Sequence, residues 1–154
     1  MGSLLQNTIF GRTKNSFISI WRTSNTSTGS SSSTQVKLPL LAAGTYNFTV
    51  DWGDGTNNNI TVWNQMQTTH TYTVPGDYVI KITGVCKGWQ FNNTGDRLKI
   101  LSVSNWGKFN PGDVVAHFYG CANLTLDSVR DVLDLTGVKT FVNSFRGCSS
   151  VSSI

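Results

Sequence analysis

All eight acidic residues of this 154-residue chain are aspartate; it has no glutamate, and only four alanines, Ala42, Ala43, Ala116 and Ala122. Alanine and glutamate are among the best helix formers, because neither loses much side-chain freedom in a helix or competes for its backbone hydrogen bonds. In their place stand 17 serines, 19 threonines, 14 asparagines and 15 glycines, which favour turns and extended backbone. A helical bundle and a coiled coil are excluded. With 38% hydrophobic and 11% aromatic residues the chain can bury a core, while 13% charged residues leave hydroxyls and amides to cover its surface. The length suits one domain, or one with a small appendage, and the expected fold class is all-β.

The clearest strand is Thr45 to Trp52, where Tyr46, Phe48, Val50 and Trp52 alternate with Thr45, Asn47, Thr49 and Asp51, one face buried and one wet. Gly53-Asp54-Gly55 turns it, and Ile60 to Trp63 is expected to return beside it. Further strands are predicted over Phe17–Trp21, Gln35–Leu40 (ending near Pro39), Thr68–Tyr72 and Asp77–Thr83. Between the first two, Ser24 to Ser33 reads as a flexible loop that buries nothing. Strands recurring at roughly 8–12-residue intervals with turn signals between them indicate a β-sandwich.

Val50-Asp51-Trp52-Gly53-Asp54-Gly55-Thr56, Thr69-His70-Thr71-Tyr72 and Pro75-Gly76-Asp77-Tyr78-Val79-Ile80-Lys81-Ile82 together resemble the WGDGT, HTY and PGxYxVxI pattern of PKD-like (polycystic-kidney-disease) immunoglobulin-type sandwiches. The stretch from Phe17 to Ile154, including Phe91 to Arg97 and Phe118 to Cys121, is similar to the N-terminal part of BspA-like leucine-rich-repeat surface proteins. The resemblance implies a sandwich over 16–96 and a leucine-rich-repeat-like segment over 97–154. Residues 1–15 show no sustained period, carry Leu4, Leu5, Ile9 and Phe10 as their apolar anchors, and read as an arm that orders against a partner.

Periodicity within 97–154 gives the same division. Leu98–Val103 matches Leu124–Val129 at a shift of 26, and a third copy begins at Val151. Val114, Val115, Phe118, Gly120 and Cys121 recur 27 residues later as Phe141, Val142, Phe145, Gly147 and Cys148. Asp113 or Thr140 stands before each block as an N-cap former and glycine closes it, so each block is predicted to form one or two helical turns with one buried face. The unit is thus a short helix, a Gly-Cys corner and an inward-facing strand, stacked as in a solenoid.

Candidate sites are few. Asp51 and Asp54 flank the Gly53–Gly55 turn, but calcium takes about six or more oxygens and Asn57, Asn58 and Asn59 add only amides. The expectation is no metal, with Gly53 and Gly55 at positive φ and the carboxylates accepting backbone N–H groups. Trp52 is expected in the core and His70 in a hydrogen bond across the sandwich. His70, Tyr72, Gly76 and Tyr78 complete the motif, and His117 adjoins Phe118. Two histidines with no glutamate, nucleophile elbow, zinc-protease motif, P-loop or dinucleotide fingerprint predict a non-enzyme without cofactor. Asp131 and Asp134, at helical spacing, read as a solvated face. Cys121 and Cys148 should stack in adjacent layers, bridging only if their Cα atoms come within about 7 Å; Cys86 is the third cysteine. Trp63, Trp89 and Trp106 are candidates for a glycan platform or for the core.

The net charge of +4 comes from scattered Lys and Arg with no basic run, so no nucleic-acid partner is expected, and no stretch approaches a membrane span. Three function classes follow. One is a structural component of a bacteriophage virion surface, a capsid decoration or tail- or fibre-associated protein bound to other virion proteins or to itself. Another is an extracellular, BspA-like bacterial surface adhesin module binding host protein or glycan. The third is an accessory to a carbohydrate-active enzyme, which requires a catalytic neighbour domain. An adhesin must cross a membrane, whereas this sequence shows no signal peptide, lipobox cysteine or sortase-type tail; the expectation is therefore the virion. The arm and the repeat edge are expected to mediate assembly.

Overall fold

The computed structural model describes residues 15–153. Apart from Asn15, the arm expected over 1–15 lies outside the described residues, as does Ile154. Seven strands are formed: β1 (Ser16–Arg22), β2 (Gln35–Lys37), β3 (Thr45–Asp51), β4 (Asn57–Ile60), β5 (Thr69–Thr71), β6 (Asp77–Lys87) and β7 (Ile100–Asn105). A five-stranded sheet runs β4-β3-β6-β1-β7 and a two-stranded sheet pairs β2 with β5, every strand pairing being antiparallel. The chain is a small all-β antiparallel domain compatible with an immunoglobulin-like β-sandwich.

Alternation sets the sheet's inner face. Along β3 Tyr46, Phe48 and Val50 are buried while Thr45, Asn47, Thr49 and Asp51 are exposed, and β6 contributes Ile80, Ile82 and Cys86. Val36 of β2, with Leu38 and Tyr72 beside the small sheet, is likewise buried. Trp21, Trp52 and Trp89 are fully buried, and Phe17 stacks on Phe109 at 4.5 Å between ring centroids. Large aromatic rings supply most of the area that such a small core removes from water. The core is continuous with Phe118, Cys121, Leu124 and Cys148 of the C-terminal half, and β7 extends the main sheet by pairing with β1.

Three expectations are corrected. The partner of β3 is Asn57–Ile60 rather than Ile60–Trp63: the short turn sets Asp51 opposite Asn57 and Phe48 opposite Ile60, leaving Val62 and Trp63 exposed. The predicted helical turns around Phe118 and Phe145 do not form; the one helical element among the described residues is a 3-10 turn at Met66–Thr68. Ala116 (φ 61°) and Asn143 (φ 57°) adopt left-handed backbone in mid-block, which an α-helix does not accommodate. Consequently Val115, Phe141 and Val142 are exposed and do not build a helical apolar face. Nor do Leu124–Val129 and Val151–Ser153 form strands; the former contributes one parallel bridge, Thr125 to Ser102.

The serine-rich stretch is pinned rather than loose. Asp96 accepts from the Ser31 N–H and hydroxyl at 2.7 and 2.6 Å and from the Lys37 N–H at 2.7 Å. Lys99 donates to Ser31 O and Oγ, Ser32 O and Gln35 O. Both charged side chains are buried, 3.8 Å apart. Burial lowers the Lys99 pKa, and Asp96 partly offsets this. A loop of hydroxyls buries little apolar area, but its backbone groups supply the partners that a buried ion pair needs.

Candidate functional site

Two groupings of candidate residues are brought together, each in its own part of the fold. The first surrounds the β3–β4 turn. Gly53 and Gly55 have φ of 82° and 89°, and a Cβ on Gly53 would collide with the Val79 carbonyl, so glycine is required there. Asp51 accepts from the Gly53 N–H at 3.0 Å. Asp54 Oδ1 accepts from the Thr56 N–H and hydroxyl at 3.0 and 2.6 Å, and its Oδ2 lies 2.7 Å from His70 Nε2. His70, on β5, thus ties the small sheet to the turn of the large one.

Its ring stacks on Trp52 at 4.7 Å and meets Tyr72 edge-on at 4.6 Å, and Tyr72 in turn stacks on Tyr78 at 3.7 Å. Tyr72 donates to the Trp52 carbonyl at 2.9 Å, and Trp52 Nε1 donates to Asn58 Oδ1 at 2.8 Å. Gly76 bonds to Thr23 through its N–H and carbonyl, closing the β5–β6 turn onto the end of β1. Burial alone would raise the Asp54 pKa, but the hydrogen bonds from Thr56 and His70 outweigh it and hold the carboxyl below its usual range. Burial raises the Tyr72 phenol strongly.

Both Asp54 oxygens are engaged, and His70 Nε2 faces the carboxylate at 2.7 Å rather than the Thr56 hydroxyl at 3.5 Å. The Thr56 proton is directed to Asp54 as well. The group functions as a clamp between sheets; it does not present an activated hydroxyl. Among the described residues no group of three His, Cys or Asp is placed to hold a metal.

The second grouping is layered. Phe91 and Asn93 donate their N–H groups to the carbonyls of His117 and Tyr119, and Ala116, Phe118 and Gly120 donate to those of Val142, Ser144 and Arg146 at 2.8 Å. Equivalent residues 27 apart share backbone conformation, as in Gly120 (φ 83°) and Gly147 (φ 73°). A Cβ on Gly120 would strike Asn93 of the preceding layer. Phe118 stacks on Phe145 at 5.4 Å with 8° between planes. Cys121 and Cys148 are buried free thiols, as is Cys86; Cys148 Sγ donates to the Phe118 carbonyl at 3.0 Å, and burial raises all three thiol pKa values.

Several side chains do work that the sequence did not disclose. His117 is buried, with Nε2 3.0 Å from the Gly112 carbonyl and Nδ1 2.8 Å from Ser144 Oγ; burial lowers its pKa, which suits the neutral ring. Asp113 and Asp131 are not a helix cap and a solvated helix face: they accept backbone N–H groups of Lys139 and Thr140, and of Trp106 and Gly107. Asp134 accepts from the Thr136 N–H in its own turn. Of the three tryptophans considered for a platform, Trp89 and Trp106 are in the core and Trp63 is 43% exposed. Asn123, bonded to Leu98 O, and Ser150, bonded to Ala122 O, also join layers; only the 26- to 27-residue recurrence could have drawn attention to them.

The third layer presents an edge that is unpaired among the described residues. By equivalence with Phe118 and Gly120, the N–H groups of Asn143, Phe145 and Gly147 point away from the stack, and none has an acceptor among the described residues. Beside them opens a groove of about 420 Å³ lined by Leu126, Val129, Leu133, Leu135, Phe141 and Phe145 among others. Comparison with family models, with curated proteins and with solved structures returned no match. No helix among the described residues is long and apolar enough to cross a membrane.

Proposed function

We propose that this chain is a non-enzymatic structural and interaction protein of a bacteriophage virion surface, a capsid-decorating or tail- or fibre-associated component held by another virion protein. In this reading residues 16–96 are a PKD-like sandwich and residues 97–154 a BspA-like leucine-rich-repeat stack. The observation that carries it is the outer edge of the third layer, a row of backbone donors bordered by an apolar groove. Unpaired edges invite a further segment of polypeptide to add to them. The edge offers donors at alternate residues, while the carbonyls of Val142, Ser144 and Arg146 are already occupied. Two copies meeting there across a two-fold axis would set donors against donors, which favours a non-equivalent polypeptide segment presenting carbonyls.

A second reading, a BspA-like adhesin module on a bacterial surface, draws support from the exposed Trp63, an amphipathic ring suited to contacts with host protein or glycan. The two readings separate by location. Lysates and envelope fractions of the source culture, resolved on a density gradient and probed with antibody, should show the protein co-banding with particles that the antibody decorates in electron micrographs. Recovery in the envelope fraction alone would favour the adhesin.

A further inference from the structure

On the face formed by β2 and its flanking loops, two concavities meet. One, of about 230 Å³, is bounded by Trp63 and Asn64; the other, of about 550 Å³, by Asn93 and Arg97; Lys37, Leu38 and Leu40 line both. Sharing that wall, they are read together as one trough, of the size that holds small ligands. Trp63 is 43% exposed at one end, whereas Trp21, Trp52, Trp89 and Trp106 are exposed by 5% or less. Burying that indole in the core would remove it from water, so its position at the mouth of a polar trough is a feature to be explained.

Ser31, Gln65, Thr68, Gln90 and Thr94 in the trough are committed to hydrogen bonds within the fold, but four other polar side chains keep donors to spare. No hydrogen bond among the described residues engages the Lys37 ammonium or the Asn64 and Asn93 amides, and Arg97 commits one N–H, from Nη1 to Ser27 Oγ at 3.1 Å. The one carboxylate lining the trough, Asp96, is buried and saturated by Ser31, the Lys37 N–H and Lys99. It therefore cancels Lys99 and leaves the fields of Lys37 and Arg97 unbalanced. An exposed apolar ring, free amides and two cations along one trough match a chain of sugar rings that bears carboxylates: C–H faces for the indole, hydroxyls for the amides, carboxylates for the cations.

We propose that this trough is a binding site for a carboxylated oligosaccharide, with Trp63 stacking on a sugar ring and Lys37 and Arg97 pairing with its carboxylates. Such a site would serve a virion or a cell-surface protein alike, and it does not depend on the edge at Asn143–Gly147. Because Trp63 is the one exposed tryptophan, its fluorescence reports occupancy directly. The full chain is titrated with trigalacturonate, sialyllactose and a hyaluronan tetrasaccharide, with maltotriose as the neutral comparison and hexa-aspartate as the acidic peptide.

At least one carboxylated sugar should give a saturable spectral shift and a matching calorimetric isotherm. That response should weaken by about tenfold in 0.5 M salt, which screens exposed charge pairs. Trp63→Ala should abolish it, and Lys37→Gln should weaken it severalfold, with melting temperatures unchanged because both side chains are exposed. No binding of any carboxylated sugar below millimolar concentrations overturns the proposal. So does equal binding of maltotriose, binding of hexa-aspartate alone, or binding that survives Trp63→Ala.

Discussion

Trp52 is fixed by contacts from three directions: the His70 ring on its face, Asn58 on its indole nitrogen and the Tyr72 hydroxyl on its carbonyl. Truncating it to alanine is expected to cost about 3–5 kcal/mol, the range for deleting a large buried aromatic, read from urea unfolding; a variant that unfolds with its parent would contradict this core role. Asp54 is a pH-dependent member of the same clamp. Its folded pKa lies below the unfolded one, so its contribution is present above about pH 4 and fades as the pH falls through the folded value. Asp54→Asn should therefore be less stable than the parent at pH 6, and the gap should close as the pH drops below 4. A gap that is constant with pH would show the carboxylate charge to be irrelevant. With both Asp54 oxygens engaged by protein groups, a chelator should leave the melting temperature unchanged, and a fall of several degrees would reveal a bound cation. The inward face of Trp52 was legible from simple alternation. The partner of His70 was not, because a contact between residues 16 apart leaves no periodic trace.

At the scale of elements, β-branched and aromatic runs announced β1, β3 and β6, since burial on one face imposes a period of two. The repeat blocks show where such reading fails. Apolar residues at helical spacing around Phe118 and Phe145 coincide with left-handed Ala116 and Asn143, and the chain makes hydrogen bonds between layers instead of along a helix. Spacing alone cannot distinguish these, because both bury every third or fourth residue. The Ser24–Ser33 loop misleads in another way: its order comes from Asp96 and Lys99, more than 60 residues away. Replacing Asp96 by alanine would leave Lys99 buried without its counter-ion, a loss of about 3–5 kcal/mol. Hydrogen exchange should show the Ser31 and Lys37 amides losing protection first. If those amides stay protected, the loop is held by something other than this pair.

For the whole molecule, one continuous core joins the two sheets to the layered segment, so the edge at Asn143, Phe145 and Gly147 is presented on a packed support. Such presentation lowers the ordering cost of docking, and the neighbouring Phe141 and Val142, 39% and 59% exposed, add apolar area at the rim of the contact. Substituting both by lysine should leave the fold intact at a modest cost in stability, because neither is a core residue although the Phe141 ring packs on His117 and Phe145, while placing two charges where a partner must exclude water. The most direct measurement is occupancy on particles. Tagged parent and Phe141→Lys/Val142→Lys chains are expressed during infection of the source culture, and particles are purified on a density gradient. The parent should co-band with particles at a fixed stoichiometry, and the double variant, still folded by circular dichroism and cooperative in its melting, should remain at the top of the gradient. Equal particle occupancy for the two chains would contradict docking through this edge, and absence of the parent from particles would contradict the virion assignment itself.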